Sequence, residues 1–420
     1  MLKKSLLAAT IAALTSTATA QTAPLPTLEE LAAQVRAQQA QIEALTAAAE
    51  QGPAAGTAGA WYNKTTVGGY GEAYFKRIDG LKDEFDAYRM VLFVGHQFSD
   101  KVRFHSELEV EHAYVKDNDT NTDTSCVVTD DGDGIIEVGE ITCGTPSAKT
   151  TTSAGYVAVE QLFVEYDYAA SHRAAAGQII VPVGIINETH EPDTYNGVFR
   201  PAVEREILPT TWFETGLKFS GEVLPGVSYD AMYSSGLKSA TGSVKDGRQR
   251  GSKADGSDPA GTLRLKYTGV PGLEIGATWH HQADMSQGVP SVAKEKLEAD
   301  LYSAHVAWQQ GRFGLRALVA DWDLDRTALA TADKKRADQE GWYVEPSFKV
   351  LPKLAVFARY SEWDAEAADN SSSQYQESVV GVNWYLHERA VVKADLQHRD
   401  NPDRTKVDED GFNVGVGFSF

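Results

Sequence analysis

The sequence predicts an all-β protein: an antiparallel transmembrane β-barrel of about sixteen strands, preceded by a short periplasmic coiled-coil helix. Three observations carry that prediction. The last segment, GFNVGVGFSF, sets Phe412, Val414, Val416, Phe418 and Phe420 on one parity and Asn413, Gly415, Gly417 and Ser419 on the other, the period of two of a strand with one apolar face. Connections between strand-like segments alternate between short and long, which puts tight turns at one end of a barrel and loops at the other. In 101–114, Val102, Phe104, Leu108, Val110 and Tyr114 alternate with Lys101, Arg103, His105, Glu107, Glu109 and Glu111. A charged row beside an apolar row suits a water-filled lumen and a lipid exterior.

Residues 1–20 read as a secretory signal peptide. Lys3 and Lys4 precede an apolar run from Ser5 to Leu14, and Ala18-Thr19-Ala20 is a small-residue cleavage site, which makes Gln21 the first mature residue. The run is shorter than the ~20 apolar residues of a membrane helix, and no later stretch reaches that length. The formal net charge of −20 argues against a nucleic-acid partner and accords with long acidic surface loops. Cys126 and Cys143, the two cysteines of an exported chain, imply a disulfide.

Residues 21–50 form the expected stem. Leu28, Leu31, Val35, Gln38, Ile42 and Leu45 step by three and four, an a/d heptad pattern with one polar core position. Thr27 and Glu30 make a capping box. The segment is either a short oligomerising coiled coil or a solitary amphipathic helix. Gly52 and Pro53 stop it, and 51–64 is a flexible Gly/Ala-rich linker.

The barrel occupies 65–420. Strands are expected near 65–77, 86–98, 101–114, 155–168, 172–181, 211–222, 227–236, 261–269, 272–282, 298–309, 312–323, 341–350, 353–363, 374–386, 389–400 and 411–420. Gaps such as 99–100, 310–311 and 351–352 are short, whereas 115–154, 182–210 and 237–260 are long. With the stem in the periplasm, the short turns fall on the periplasmic side and the long loops outside. Trp61, Tyr62, Trp212, Trp363, Trp384 and Tyr385 lie near strand ends, as an interfacial girdle requires. Glu160 breaks the pattern, sharing the parity of Leu162 and Val164; it marks a bulge or a protein contact. His280 and His281 are adjacent in a strand and point to opposite faces, which reads as surface polarity rather than a metal pair.

The long second loop holds VVTDDGDGIIEVGEIT between the cysteines. Aligning Gly134 with the glycine of a calcium loop gives Asp131, Asp133 and Glu140 as carboxylate ligands and the Ile135 carbonyl as another. Thr129 stands where aspartate is usual, so Ca2+ binding and a metal-free acidic loop both remain open. A Cys126–Cys143 bridge would restrain this loop by ~3 kcal/mol of chain entropy.

With VGGYGEAYF at 67–75, RMVLFVGHQFSDKVRFHSELEVEHA at 89–113, GQIIVPVGIINETHEPDTYNGVFRP at 177–201 and LPTTWFETGLKF at 208–219, the chain resembles the phosphate-selective porin O/P family. More broadly it is similar to trimeric outer-membrane porins with an N-terminal coiled coil. The resemblance implies sixteen strands, a homotrimer and a third long loop folded into the lumen as a constriction. Here that loop is 182–210, with Glu188, His190, Glu191, Asp193, Arg200 and Arg205. Both signs of charge occur and no basic run stands out, so phosphate specificity does not carry over residue by residue.

Lumen-facing parity proposes Arg103, Glu107, Glu109, Glu111, Lys218, Arg264, Lys266, Arg316, Arg359, Lys393 and Arg399 as pore-lining. They either select solutes or simply hydrate the lumen and pair with one another. The expected function is passive diffusion of small hydrophilic solutes, with either weak selectivity or a preference for small anions such as phosphate. The expected partners are outer-membrane lipid, those solutes and barrel-assembly machinery, which would read terminal Phe420. No nucleophile elbow, Walker loop or zinc-protease motif appears, and no cofactor is required. The alternatives are a receptor or adhesin barrel acting through its loops, and a barrel enzyme.

Overall fold

The computed structural model of the chain describes residues 63–112, 155–289, 296–369, 372–403 and 407–420, and the backbone alone of 61–62, 126–128 and 141–143. The expected signal peptide, the coiled coil, most of the linker and the 129–140 calcium loop lie outside the described residues. The strands are β1 (Thr65–Ile78), β2 (Glu84–Gln97), β3 (Val102–Glu111), β4 (Cys126–Val128), β5 (Ile141–Cys143), β6 (Tyr156–Ala169), β7 (His172–Ile180), β8 (Phe213–Leu224), β9 (Val227–Ser234), β10 (Ala260–Tyr267), β11 (Leu273–Gln282), β12 (Ala299–Gln310), β13 (Phe313–Leu324), β14 (Asp338–Leu351), β15 (Leu354–Asp364), β16 (Tyr375–His387), β17 (Ala390–Asp400) and β18 (Gly411–Ser419). All but β4 and β5 close into one sixteen-stranded antiparallel barrel, in which each strand pairs with its neighbours in this order and β18 returns to β1.

The alternation read in the sequence decides which side chains meet lipid. In β17 Lys393 and Asp395 are buried inside while Leu396 is exposed outside. In β3 Glu107 and Glu109 turn in and Leu108 turns out. Val414, Val416 and Phe418 of β18 stand on the outer face. A bilayer would cover these apolar outer rows, which a soluble sheet could not leave bare. Each expected strand is present, with ends moved by a few residues. β4 and β5 are two short strands that the sequence reading did not include; they pair with each other, Cys126 opposite Cys143.

The third long loop spans 181–212, slightly more than expected, and carries a short helix, α1 (Ala202–Glu206). It lies inside the barrel. Val203, Ile207, Leu208 and Trp212 pack on Leu301, Leu318, Trp322, Tyr343 and Trp363 of β12–β15, joined by Leu237, Met285 and Leu297 from outer loops. Each fully buried aliphatic side chain contributes about 1.5–3 kcal/mol relative to exposure, so this interior core fastens the loop to one wall. The core corrects the girdle assignment. Trp212 and Trp363 face inward, and Tyr385 lines an internal cavity; Trp384, by contrast, is exposed on the outside. His280 is likewise not surface polarity: it is buried between Trp212 and Trp322 and bonds Thr262 Oγ1. An aromatic at a strand end reads the same whether the lumen beside it is wet or filled.

Candidate functional site

The inner loop is tied to the wall around most of its length, and most of the charged residues expected to line the pore are spent on these ties. Arg264 of β10 bonds both Asp230 and the loop residue Glu188, which Lys218 of β8 also reaches. Burial alone would raise the Glu188 carboxyl; Arg264 and Lys218 outweigh it and hold it down at about 2. Arg316 donates to Thr194 O, and Arg359 donates to Glu345 and to the carbonyls of Asn196 and Phe199. The Lys393 ammonium sits 3.7 Å from the Tyr195 ring centre. Asp395 accepts the Val198 amide, and Ser419 donates to Asp193. Such charge-assisted bonds to a loop are stronger than neutral ones. Arg103 and Lys266 bind wall carboxylates instead, Glu165 with Asp167 and Glu274 respectively, and Arg399 binds Glu377 of the wall and Glu409 of the last loop.

Opposite the apolar core, β3 and β6 carry an acidic wall. Glu107, Glu109, Glu111 and Glu160 are all buried there. Glu160 is brought in by a bulge: Glu107 pairs with Gln161 and Leu108 with Val159, which leaves Glu160 as the extra residue. His190 reaches from the loop to this wall, with Nε2 3.3 Å from Glu107 Oε1 and 3.2 Å from Glu160 Oε2. Burial disfavours its imidazolium, but Glu160 and Glu107 more than compensate and lift it to about 9. Arg89 of β2 binds Glu72 and Glu109 and donates to the His190 carbonyl. Glu191, also in the loop, is raised by burial.

Two groups of cavities flank the loop. One of about 460 Å³ opens among the short turns, near Val270, Gly272 and Gln309, and is lined by Thr194, Asn196 and Arg316. On the long-loop side lie cavities of about 410 Å³ and 200 Å³ that share Tyr88, Arg200, Thr210 and Arg248. Tyr195, Val198 and Phe199 line the larger of these. Residues 194–200 therefore form the partition between the two sides.

The outer cavities hold guanidinium groups with no carboxylate in direct ion-pair contact, although Glu72, Glu206, Glu109 and Glu111 line the same cavities. Arg200 donates to Thr211 Oγ1 and the His190 carbonyl, and Arg248 to the carbonyls of Lys245, Pro209 and Thr211. Arg250 lies over the Tyr156 ring, and the Arg205 Nε is buried without a partner. Among the described residues none of the four has a carboxylate within ion-pair distance. Burial lowers Arg205 and Arg248 from the usual arginine value; Glu377 and Glu206 oppose it at Arg205 without cancelling it, and Arg250 adds to it at Arg248. Arg200 and Arg205 were among the sequence candidates. Arg248 and Arg250 were missed because the 237–260 segment reads as an exposed loop; the DGRQRG run was the available signal. Glu72 and Arg89 were missed too, although their strand parity marks them as inward.

The model for Gram-negative porins matches residues 138–404. An uncharacterized protein of Aquifex aeolicus is 28% identical over 402 residues, spanning 88% of this chain and 83% of its own. Among solved structures, an anion-selective porin from Comamonas acidovorans superposes with a TM-score of 0.55 at 12% identity, covering 85% of this chain and 99% of that one. The trimer form of OmpT, an outer-membrane protein of Vibrio cholerae, gives 0.52 at 11% identity, covering 85% and 99%.

Proposed function

The chain belongs to the Gram-negative porin family, an outer-membrane barrel that forms a channel, and from that premise we propose that it passes small hydrophilic anions, phosphate among them, by diffusion. The observation that carries the preference is the cluster of Arg200, Arg205, Arg248 and Arg250 at the outer cavities without carboxylate partners. Burying a guanidinium group costs desolvation that an ion pair offsets; Arg200 is buried, Arg205 and Arg248 are half-buried and Arg250 is exposed, and the three withdrawn from solvent concentrate anions in front of the partition. The acidic wall on β3 and β6 faces them, giving a transverse field that orients polar solutes at the partition, residues 194–200. Ion selectivity is set by charges at such a point. The similarity to an anion-selective porin supports the reading, as does the sequence resemblance to phosphate-selective porins.

The molecule works in this reading as a homotrimer on a periplasmic coiled coil, as the trimer form of a structural relative suggests. The 115–154 loop is braced by a Cys126–Cys143 disulfide, with Ca2+ a candidate ligand of Asp131, Asp133, Ile135 and Glu140. Single-channel conductance in chloride, with phosphate, sulfate, dicarboxylates or neutral sugars added in turn, tests the reading. Conductance in three coupled steps, reduced by the oxyanions and not by sugars, is expected. Equal reduction by sugars would remove the anion preference.

A further inference from the structure

We propose that Glu107, Glu160 and His190 form a binding site for one zinc ion, which latches the inner loop to the barrel wall. This goes beyond solute selectivity and does not depend on it. The three ligand atoms lie within 4.8 Å of one another, and both histidine-to-carboxylate edges have the spacing of a coordination shell. His190 Nε2 is 3.3 Å from Glu107 Oε1 and 3.2 Å from Glu160 Oε2. Tetrahedral zinc with bonds of about 2.0–2.1 Å has ligand-to-ligand edges of about 3.3–3.4 Å, whereas an octahedral ion at that bond length needs about 2.9–3.0 Å. One imidazole with two carboxylates is also a set that zinc accepts, leaving a fourth position for water.

The outer shell is built as well. His190 Nδ1 donates to the Asn187 carbonyl 3.0 Å away, which turns Nε2 toward the carboxylates. Tyr70 Oη donates to Glu107 Oε1 and Gln161 Nε2 to Glu107 Oε2. Glu160 reaches the group only because the β6 bulge re-aims it. All three ligands are almost fully buried. The nearest arginine, Arg89, is engaged by Glu72 and Glu109 and leaves the pair Glu107 and Glu160 to the ion. Glu160 also lines the smaller outer cavity, which supplies an entry path.

The test uses the full-length protein in detergent, stripped with chelator and titrated with zinc chloride. One zinc per subunit is expected, and X-ray absorption of the loaded wild type should show one imidazole nitrogen with carboxylate oxygens at about 2.0 Å. His190→Gln and Glu160→Gln should each weaken binding by at least about tenfold. No retained zinc at tenfold excess would overturn the proposal, and so would an oxygen-only shell, which needs no variant to fold. Among the described residues the other group of three that could hold a metal ion is His281, Glu298 and Asp300. Zinc lost in His281→Gln but kept in His190→Gln would also overturn it.

Discussion

Glu188 shows how one side chain sets the pH range over which the inner loop stays tied to the wall. Its carboxyl is held down at about 2 in the folded protein, below the ordinary 4.5. Its tie to Arg264 and Lys218 is therefore complete above about pH 4.5 and is lost as the pH falls through about 2. Open-channel noise should stay flat from neutral pH to about 5 and rise in that acid window, and Glu188→Gln should show the raised noise already at pH 7. Gly184 sets a steric limit. It has φ +63°, and an added Cβ would lie 2.6 Å from Glu204 Oε2, the oxygen that accepts the Ile185 and Ile186 amides. The left-handed conformation alone costs alanine roughly 1–2 kcal/mol, so Gly184→Ala should raise the detached-loop population about tenfold. Limited proteolysis of the assembled barrel, scored for cuts within 181–212, measures it.

At the scale of an element, the β6 bulge couples the wall to the loop. Removing Glu160 leaves Val157, Val159 and Leu162 on one parity and Ala158 and Gln161 on the other, an unbroken alternation. The deletion should assemble a heat-modifiable barrel of normal mobility with a higher and noisier conductance, because His190 loses a partner; failure to assemble would show that β6 needs the bulge for closure. This break was legible in the sequence because strand parity is local. The strands and the order of short and long connections were legible for the same reason. The path of the inner loop was not legible in the strand pattern, and only the family resemblance set it in the lumen. Its partners are remote, as when Arg359 holds the Asn196 carbonyl across 163 positions, and no local pattern encodes that pairing. Trp212 and Trp363 were misread because the apolar filling behind them comes from α1 and its flanks, again distant in sequence. Arg200 and Arg205 could be nominated as charges in a candidate constriction, but their lack of carboxylate partners is a property of three-dimensional placement.

Across the whole molecule, the barrel closes where Phe420 and Gly69 exchange backbone hydrogen bonds of 2.8 and 3.0 Å. Deleting Phe420 removes both and the ring that lies against Gly69. The fraction of heat-modifiable, assembled protein should fall severalfold, while channels that do form keep their selectivity. In the proposed function, selectivity belongs instead to the partition at 194–200 and to the arginines gathered on its outer side. The reversal potential across a planar bilayer under a tenfold potassium chloride gradient tests that claim most directly. The sign of an anion-selective channel is expected, with a magnitude that drops when Arg200, Arg205 and Arg248 are replaced together by alanine. A cation-selective reversal potential in the wild-type protein would contradict it.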